Sequence, residues 1–140
     1  MQNSILIDSG PIIALFDRDD KFHSKTKEFI KTNRFNLITT LAMVTEVSHM
    51  LDFNTNVQIA FLEWIIRDGI KLFPLEQPHL ARIIELSRKY ADLPMDFADA
   101  SLVVAAEQTG IHQIISLDSD FDIYRLPGKE MIRNCFLPNT

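Results

Sequence analysis

In Met95-Asp96-Phe97-Ala98-Asp99-Ala100-Ser101-Leu102-Val103, two carboxylates fall in the first turn of a predicted apolar helix. Pro94 is expected to end the preceding element, Asp96 to be the helix N-cap, and Asp99 to follow at position N3. Residues 98–106 are nearly all apolar, which predicts a buried helix. Taken alone, the two acids are explained by capping, since both favour the positive end of the helix dipole. A functional role requires other acidic residues that converge on the same point.

Short apolar runs alternate with helical segments along the whole chain. Strands are predicted at Ser4–Ile7, Phe35–Thr39, Ile70–Phe73 and Gln113–Leu117, with a fifth, edge strand at Glu130–Asn134. Helices are predicted at 12–16, 22–31, 41–51, 57–67, 78–90 and 97–109. This order predicts an α/β sandwich with a central, mainly parallel sheet of four to five strands and right-handed crossovers. We expect residues 1–140 to form a single domain.

Two acidic residues directly follow predicted strands. Asp8 ends the first strand and Asp118 ends the fourth. Because the carboxyl ends of parallel strands share one edge of a sheet, where ligands bind, we expect both side chains at that edge. Glu46 follows the second strand by about two helical turns and is within reach of the same edge. Asp99 is placed less securely, because we expect a helix that leads into a strand to begin at the opposite edge unless the connection is irregular.

The composition is that of a globular protein, with 46% hydrophobic and 24% charged residues. The single cysteine, Cys135, excludes an internal disulfide and a cysteine-based metal site. The sequence lacks a secretory leader and an apolar run of the roughly 20 residues that span a bilayer, so we expect a cytoplasmic protein with no membrane contact. The net charge of −5 argues against a broad basic face for nucleic acid, but it is compatible with acids gathered in a metal site.

Clustered carboxylates would repel one another, and their pKa values would rise unless cations neutralised them. The candidate ligands are hard oxygen donors, and the chain has neither a cysteine-based site nor histidines in metal-ligand spacing. This donor set predicts Mg²⁺ or Mn²⁺ as the cation. Such ions act on phosphoesters by polarising the scissile phosphate and activating water. Each acid also has a simpler explanation as a turn, loop or solvent-facing residue. Only their joint arrangement favours a metal site.

Four segments carry a resemblance to a known family: Ile7-Asp8-Ser9-Gly10, Thr45-Glu46-Val47, Pro94-Met95-Asp96-Phe97-Ala98-Asp99-Ala100 and Ile115-Ser116-Leu117-Asp118-Ser119-Asp120-Phe121. Their order and spacing resemble the four acidic blocks of PIN-domain ribonucleases, especially VapC-like toxins. The resemblance implies that the catalytic and metal-binding acids are Asp8, Glu46, Asp99 and Asp118, with accessory roles for Asp96, Asp120, Ser9 and Ser116. It also implies a PIN-like α/β/α sandwich in which the helix bearing Asp99 begins beside the site. We expect that helix N-terminus to keep Asp99 ionised before metal binds.

The resemblance further implies the activity and the partners. It indicates a divalent-metal-dependent endoribonuclease that hydrolyses RNA phosphodiester bonds with Mg²⁺ or Mn²⁺, as the toxin of a type II toxin–antitoxin pair. A homodimer and a cognate antitoxin protein are the implied partners. The predicted helix 57–67 is apolar on more than one side, and we assign Phe61, Trp64 and Ile65 to a partner interface. The pattern alone suits burial within the monomer equally well.

Other interpretations of the sequence stay open at this point. Arg18 and His23 fit the Arg-x4-His pattern of metal-independent HEPN ribonucleases, although that fold is all-helical. Asp118 and Asp120 resemble the acidic pair of haloacid-dehalogenase-type phosphatases, which ends the first strand rather than the fourth. A non-enzymatic alternative is an inactive PIN-like module that binds RNA or protein. We assign to solvation the basic residues around the second predicted helix, namely Lys21, Lys25, Lys27, Lys31 and Arg34.

Overall fold

The structure, a computed structural model, describes residues 3–93 and 95–136. Pro94, predicted to end the element before the acidic helix, lies outside them. The strands are β1 (Ser4–Ile7), β2 (Asn36–Thr40), β3 (Lys71–Phe73), β4 (Gln113–Ile115) and β5 (Arg133–Asn134). The α-helices within these ranges are α1 (Ser9–Phe16), α2 (His23–Asn33), α3 (Leu41–Met50), α4 (Thr55–Ile66), α5 (Leu80–Lys89) and α6 (Phe97–Thr109). The predicted order of elements is therefore confirmed.

The strands form one parallel sheet in the order β3-β2-β1-β4-β5. β1 is central, with Leu6 opposite Ile38 on one side and Ile114 on the other. The prediction of an α/β sandwich with a parallel sheet of four to five strands is confirmed. Because every strand runs the same way, their carboxyl ends lie at a single edge of the sheet.

Both faces of the sheet are covered, and β1 contributes to both layers. Ile5 and Ile7 belong to one hydrophobic cluster and Leu6 to the other, because successive side chains of a strand point to opposite faces. All three are fully buried. This double burial explains why β1 is a continuous apolar run rather than an alternating one.

α6 is the most deeply buried helix in the described ranges. Eight of its thirteen residues are buried, most of them small or β-branched, as the apolar run predicted. Asp96 is the N-cap, and Gly110 ends the helix with a φ of 75°. Glycine suits that position because left-handed backbone strains residues that carry a Cβ. Both predicted ends of the helix are confirmed.

β4 is shorter than predicted and ends at Ile115 rather than at Leu117. The side chain of Asn134 explains the early end. Its Oδ1 accepts from the Ser116 backbone N–H and its Nδ2 donates to the Ser116 carbonyl, both at 3.2 Å. A side chain thereby replaces the ladder hydrogen bonds of the next residue pair, and residues 116–118 leave the sheet as a loop.

The helix assigned to a partner interface, α4, packs differently from that prediction. Phe61 is fully buried and packs edge-on against Phe16, with ring centroids 5.5 Å apart. Its assignment to an interface is wrong, because the interior of the monomer already covers it. Trp64 and Ile65 are only partly buried. No helix among the described residues is long and apolar enough to cross a membrane.

Candidate acidic active site

Acidic residues from four different elements lie around the carboxyl edge of the sheet. Asp8 follows β1 as the N-cap of α1, and Glu46 lies in the second turn of α3. Asp99 is at position N3 of α6, and Asp118 lies in the loop after β4. The charges of Asp118 and Glu46 raise the pKa of Asp8, and the charge of Asp8 raises the pKa of Asp99. The structure therefore brings the four predicted acids into one electrostatically coupled group.

Asp8 is the central and most buried member of this group, with 5% of its surface exposed. Its Oδ1 accepts from the Ser9 backbone N–H at 2.8 Å, and its Oδ2 accepts from the Ser116 hydroxyl at 3.0 Å. Its own backbone N–H donates to the Ile115 carbonyl, which fixes it at the end of β1. Both carboxylate oxygens are thus held in place.

Glu46 reaches the site through Ser9. The Ser9 hydroxyl donates to Glu46 Oε1 at 2.6 Å, and Ser9 follows Asp8 directly. α3 begins immediately after β2, with Thr40 as its N-cap, so Glu46 is carried toward the same edge as Asp8. The hydroxyl of Ser9 therefore links two acids that are 38 positions apart in the sequence.

Asp99 lies at the site because α6 begins at the carboxyl edge. Thr40, the last residue of β2, shares a buried hydrogen bond of 2.7 Å with Ser101, in the second turn of α6. The helix therefore begins beside the site, as the resemblance implied, and not at the opposite edge expected from the connection alone. A helix that returns the chain to the start of a parallel strand must run from the carboxyl edge. The connection between β3 and β4 contains a second helix, α5, which follows the 3₁₀ turn at Gln77–His79 and precedes α6.

Asp99 takes part in both capping and a long-range contact. The Asp96 carboxylate accepts from the Asp99 N–H at 2.8 Å, which completes the predicted cap. The return bond, from the Asp96 N–H to Asp99 Oδ2, is long at 3.5 Å. Tyr124 donates its hydroxyl to the same Oδ2 at 3.3 Å. Capping alone therefore does not account for the position of the Asp99 carboxylate.

The loop after β4 carries the remaining predicted residues. Ser116 lies between Asp8 and Asp118, with its hydroxyl 3.0 Å from Asp8 Oδ2 and 3.5 Å from Asp118 Oδ1. Asp118 Oδ1 also accepts from the Asp120 N–H at 2.9 Å, which folds the loop into a tight turn. Asn134 donates to the Asp118 carbonyl and fixes the turn from β5.

Three carboxylates of the site are hard to ionise. Burial, with further contributions from the charges of Asp118 and Glu46, raises the pKa of Asp8 to about 7. Burial and the charges of Asp96 and Asp8 raise the pKa of Asp99 to about 8. The pKa of Asp120 is also raised, mainly by burial and by Asp118. The neighbouring acids add to these shifts, as their clustering predicted, but burial is the largest cause. At Asp99 the raised pKa runs against the prediction that the helix N-terminus keeps this carboxylate ionised.

The residues present suit a hard divalent cation by their chemistry. The donors are carboxylate and hydroxyl oxygens, and none of the four main acids forms an ion pair with Lys or Arg in residues 3–93 and 95–136. Within those ranges, no three His, Cys, Asp or Glu side chains are already gathered as a metal cluster. The fit therefore rests on donor type and on uncompensated negative charge, not on a preformed coordination sphere.

Comparison with protein families identifies the fold. Residues 5–126 match the model of the PIN domain. The chain belongs to the PIN domain family. Among solved structures, it is similar to the toxin VapC20 of Mycobacterium tuberculosis, described as cleaving the sarcin–ricin loop. The two align with a TM-score of 0.76 and 16% identity, over 84% of this chain and 92% of that chain. No curated protein matches the sequence.

Membership in the PIN family confirms the resemblance inferred from the four acidic segments. At 16% identity, the likeness to VapC20 shows the shared fold alone. The α/β/α sandwich seen in the structure is thus the PIN fold, and the acidic group occupies the carboxyl edge of its parallel sheet.

Two residues that support the site of this PIN domain were missed in the sequence. Tyr124 is fully buried and contacts Asp99 from 25 positions away, and Asn134 fixes the loop of Ser116 and Asp118 from β5. No local pattern indicates either contact. An open pocket of about 490 Å³ beside Glu46 and Asp96 also includes His49 and Phe97 in its lining. His49 lies one helical turn after Glu46, which its spacing could have suggested.

Proposed function

We propose that this PIN domain is a divalent-metal-dependent endoribonuclease that hydrolyses RNA phosphodiester bonds. The observation that carries the proposal is the pairing of buried Asp8 with partly buried Asp99 at the carboxyl edge, where their pKa values are raised to about 7 and about 8. Two such groups destabilise a folded protein at neutral pH unless a cation compensates them. Family membership supports nucleic acid as the substrate class.

In this proposal Asp8, Asp99, Asp118 and Glu46 hold Mg²⁺ or Mn²⁺. When bound, such an ion polarises the scissile phosphate and lowers the pKa of water. The Ser116 hydroxyl orients Asp8 and Asp118, and the Ser9 hydroxyl orients Glu46. Asp96 and Asp120 are accessory, since Asp96 caps α6 and the Asp120 carboxyl lies close enough to Asp118 for that charge to raise its pKa.

Tyr124 is assigned a positioning role at Asp99. Burial and the charge of Asp99 raise the pKa of Tyr124 above its usual value, so its hydroxyl stays protonated and donates to the carboxylate. Tyr124→Phe is expected to lower kcat about tenfold and to move the acid limb of the pH profile upward, since the lost bond favoured the ionised form of Asp99.

Tyr90→Phe is the matched control, because the Tyr90 hydroxyl bonds the Arg125 N–H and not an acid. The measurement is kcat against pH for both variants. Equal shifts in the two profiles, or none in either, would rule out a role for the Tyr124 hydroxyl at Asp99.

We further propose that the protein is the toxin of a toxin–antitoxin pair, acting as a single domain over residues 1–140 in the cytoplasm. The structural likeness to VapC20, itself described as a toxin, supports this. Expression in bacteria should arrest growth. Asp8→Asn should relieve the arrest almost completely, because it removes the most central carboxylate.

Asp19→Asn is the control, since Asp19 is exposed in the loop after α1. Growth curves and viable counts measure the effect, with protein levels checked by immunoblot. A harmless wild type would exclude the toxin role and favour a housekeeping nuclease or an inactive binding module. Relief by both variants would exclude a specific role for Asp8.

A homodimer through α4 is also proposed, now on a corrected set of residues. Trp64 rests on Gly69 and on Phe16, so most of its packing is within its own chain. The exposed apolar residues of α4 lie in one stripe, formed by Ile59, Leu62 and Ile66. Ile66 is 80% exposed, so Ile66→Glu leaves the core intact.

Light scattering of Ile66→Glu should give about half the mass of the wild type. The matched control is Ile84→Glu on α5, an equally apolar exposed position. A monomeric wild type, or a loss of mass in the control instead, would exclude α4 as the interface.

A further inference from the structure

A basic pocket lies between α5 and the segment that precedes β5. It has a volume of about 440 Å³ and is lined by Arg82, Lys89, Arg125 and the turn at 126–129, which ends in Lys129. No acidic side chain is among the described residues that line it. In a chain of net charge −5, four cationic side chains around one concavity indicate a binding surface for an anion.

The four cations differ in how much charge they leave available. Arg82 is neutralised by a two-pronged ion pair with Glu107, with Nη2 and Oε2 2.7 Å apart. Arg125 donates through Nη1 to the carbonyls of Asp122 and Tyr124, which fix the guanidinium without cancelling its charge. Lys89 and Lys129 are exposed. The pocket therefore has about three uncompensated positive charges on a fixed arginine and two lysines.

The turn that forms one wall of the pocket has a fixed, unusual backbone. Gly128 and Lys129 both have positive φ angles, 77° and 65°. Left-handed backbone is unfavourable for lysine, and two hydrogen bonds offset the strain: Lys129 N–H to the Leu126 carbonyl, and Leu126 N–H to the Glu130 carbonyl. The turn thus holds Lys129 at the pocket rather than leaving it on a free loop.

The pocket adjoins the acidic site through a pair of tyrosines. Tyr124 donates to Asp99, and the next residue, Arg125, lines the pocket. Tyr90 packs edge-on against Tyr124, accepts from the Arg125 N–H, and has the Lys89 ammonium over its ring. One tyrosine side chain and one step along the backbone therefore separate Asp99 from the basic pocket.

We propose that this pocket binds a backbone phosphate of single-stranded RNA, a few nucleotides from the bond that is cut. The inference rests on the proposed ribonuclease function. A cluster of carboxylates repels a polyanion, and a neighbouring group of cations compensates by binding an adjacent phosphate and fixing the register of the strand. A guanidinium held in place by backbone carbonyls is suited to this, because little side-chain entropy is lost on binding.

The basic residues of α2 offer the natural comparison. Lys27 and Lys31 are exposed on that helix and do not line the basic pocket. Removing them changes the net charge as much as removing Lys89 and Lys129. The two pairs therefore separate a specific phosphate contact from general electrostatic attraction.

The test is binding of a short, fluorescein-labelled, single-stranded RNA of mixed sequence, followed by fluorescence anisotropy. All proteins carry Asp99→Asn so that the RNA stays intact. Lys89→Gln/Lys129→Gln should weaken the Kd about fivefold at about 0.1 M salt and reduce the slope of log K against log salt by about 0.7, the contribution of one phosphate contact. Lys27→Gln/Lys31→Gln should change the Kd by less than about twofold, and Lys89→Arg/Lys129→Arg should retain tight binding.

Equal weakening by the two Gln pairs, no weakening by either, or no RNA binding at all would overturn the proposal. Thermal melts establish that each variant is folded. The outcome is separable from that of the proposed function. If the protein binds RNA through the pocket but never cleaves it, the phosphate site is supported and the ribonuclease function is refuted. If it cleaves RNA with a KM that does not depend on Lys89 and Lys129, the ribonuclease function is supported and the phosphate site is refuted.

Discussion

Replacing Asp99 with Asn is expected to lower RNA cleavage by about a thousandfold or more while making the metal-free protein more stable. The loss of activity follows because Asn removes one of the carboxylates proposed to hold the cation, and a thousandfold corresponds to about 4 kcal/mol of transition-state stabilisation. The gain in stability follows from the same change, because the Asp99 carboxylate is partly buried beside other acids. Activity and stability should therefore move in opposite directions at one position.

The size of the stability gain should depend on pH. The pKa of Asp99 is about 8 in the folded protein and near 4 in the unfolded chain, so between these values the folded state binds more protons. The free energy of unfolding of the wild type therefore falls as the pH rises through this window. Asn carries no charge, so the variant should gain several degrees in Tm near pH 8 and little near pH 4.

Differential scanning fluorimetry in EDTA measures this effect across the pH range. Asp19→Asn is the control, because it removes the same charge from an exposed loop. A lower Tm for Asp99→Asn at both ends of the range would mean that the carboxylate stabilises the fold through its hydrogen bonds, and that its burial is not the source of strain.

Mg²⁺ or Mn²⁺ should stabilise the wild type strongly near pH 8 and weakly near pH 5. Asp8 and Asp99 must lose their protons to bind a cation, so protons and metal compete for the same oxygens. A metal at about one hundred times its Kd adds about 2.7 kcal/mol to the free energy of unfolding, which corresponds to several degrees in Tm. The stabilisation should vanish in Asp8→Asn/Asp99→Asn and persist in Asp19→Asn.

Thermal melts with and without metal at several pH values measure this competition. A shift in Tm that is the same at every pH, or that survives in Asp8→Asn/Asp99→Asn, would show that the cation binds elsewhere. The metal-free baseline of the wild type should itself fall between pH 4 and pH 8, as worked out for Asp99.

The position of the site could be predicted from the sequence because it follows from the topology. Asp8 and Asp118 come after short apolar runs that fit buried parallel strands, and parallel strands share their carboxyl edge. Glu46 follows the second strand by about two helical turns, so a short helix after that strand is enough to bring its side chain to the same edge. These inferences depend on local patterns and on one rule of sheet geometry, and the structure agrees with them.

The contacts that tune the site could not be predicted, because they join residues that are far apart in the chain. The hydroxyl of Ser116 reaches Asp8 across 108 positions, and Tyr124 reaches Asp99 across 25. The pKa of Asp99 depends most on burial by the whole fold, whereas the sequence displays only its place at a helix N-terminus and the neighbouring charge of Asp96.

Phe61 illustrates the same limit for surfaces. The pattern of α4 is apolar on several sides and does not tell which side faces the core. In the structure, Phe61 packs against Phe16 and therefore faces the core, whereas Ile66 faces solvent.

Cleavage of single-stranded RNA by the purified wild type, with Mn²⁺ and then with excess EDTA, tests the central claim most directly. The acidic site predicts that cleavage proceeds with Mn²⁺, stops when EDTA removes the ion, and resumes when Mn²⁺ is restored in excess. Asp99→Asn, purified in parallel, excludes a contaminating nuclease if it is inactive throughout. Cleavage that continues in EDTA and in Asp99→Asn would contradict the claim that these carboxylates and a divalent cation perform the reaction.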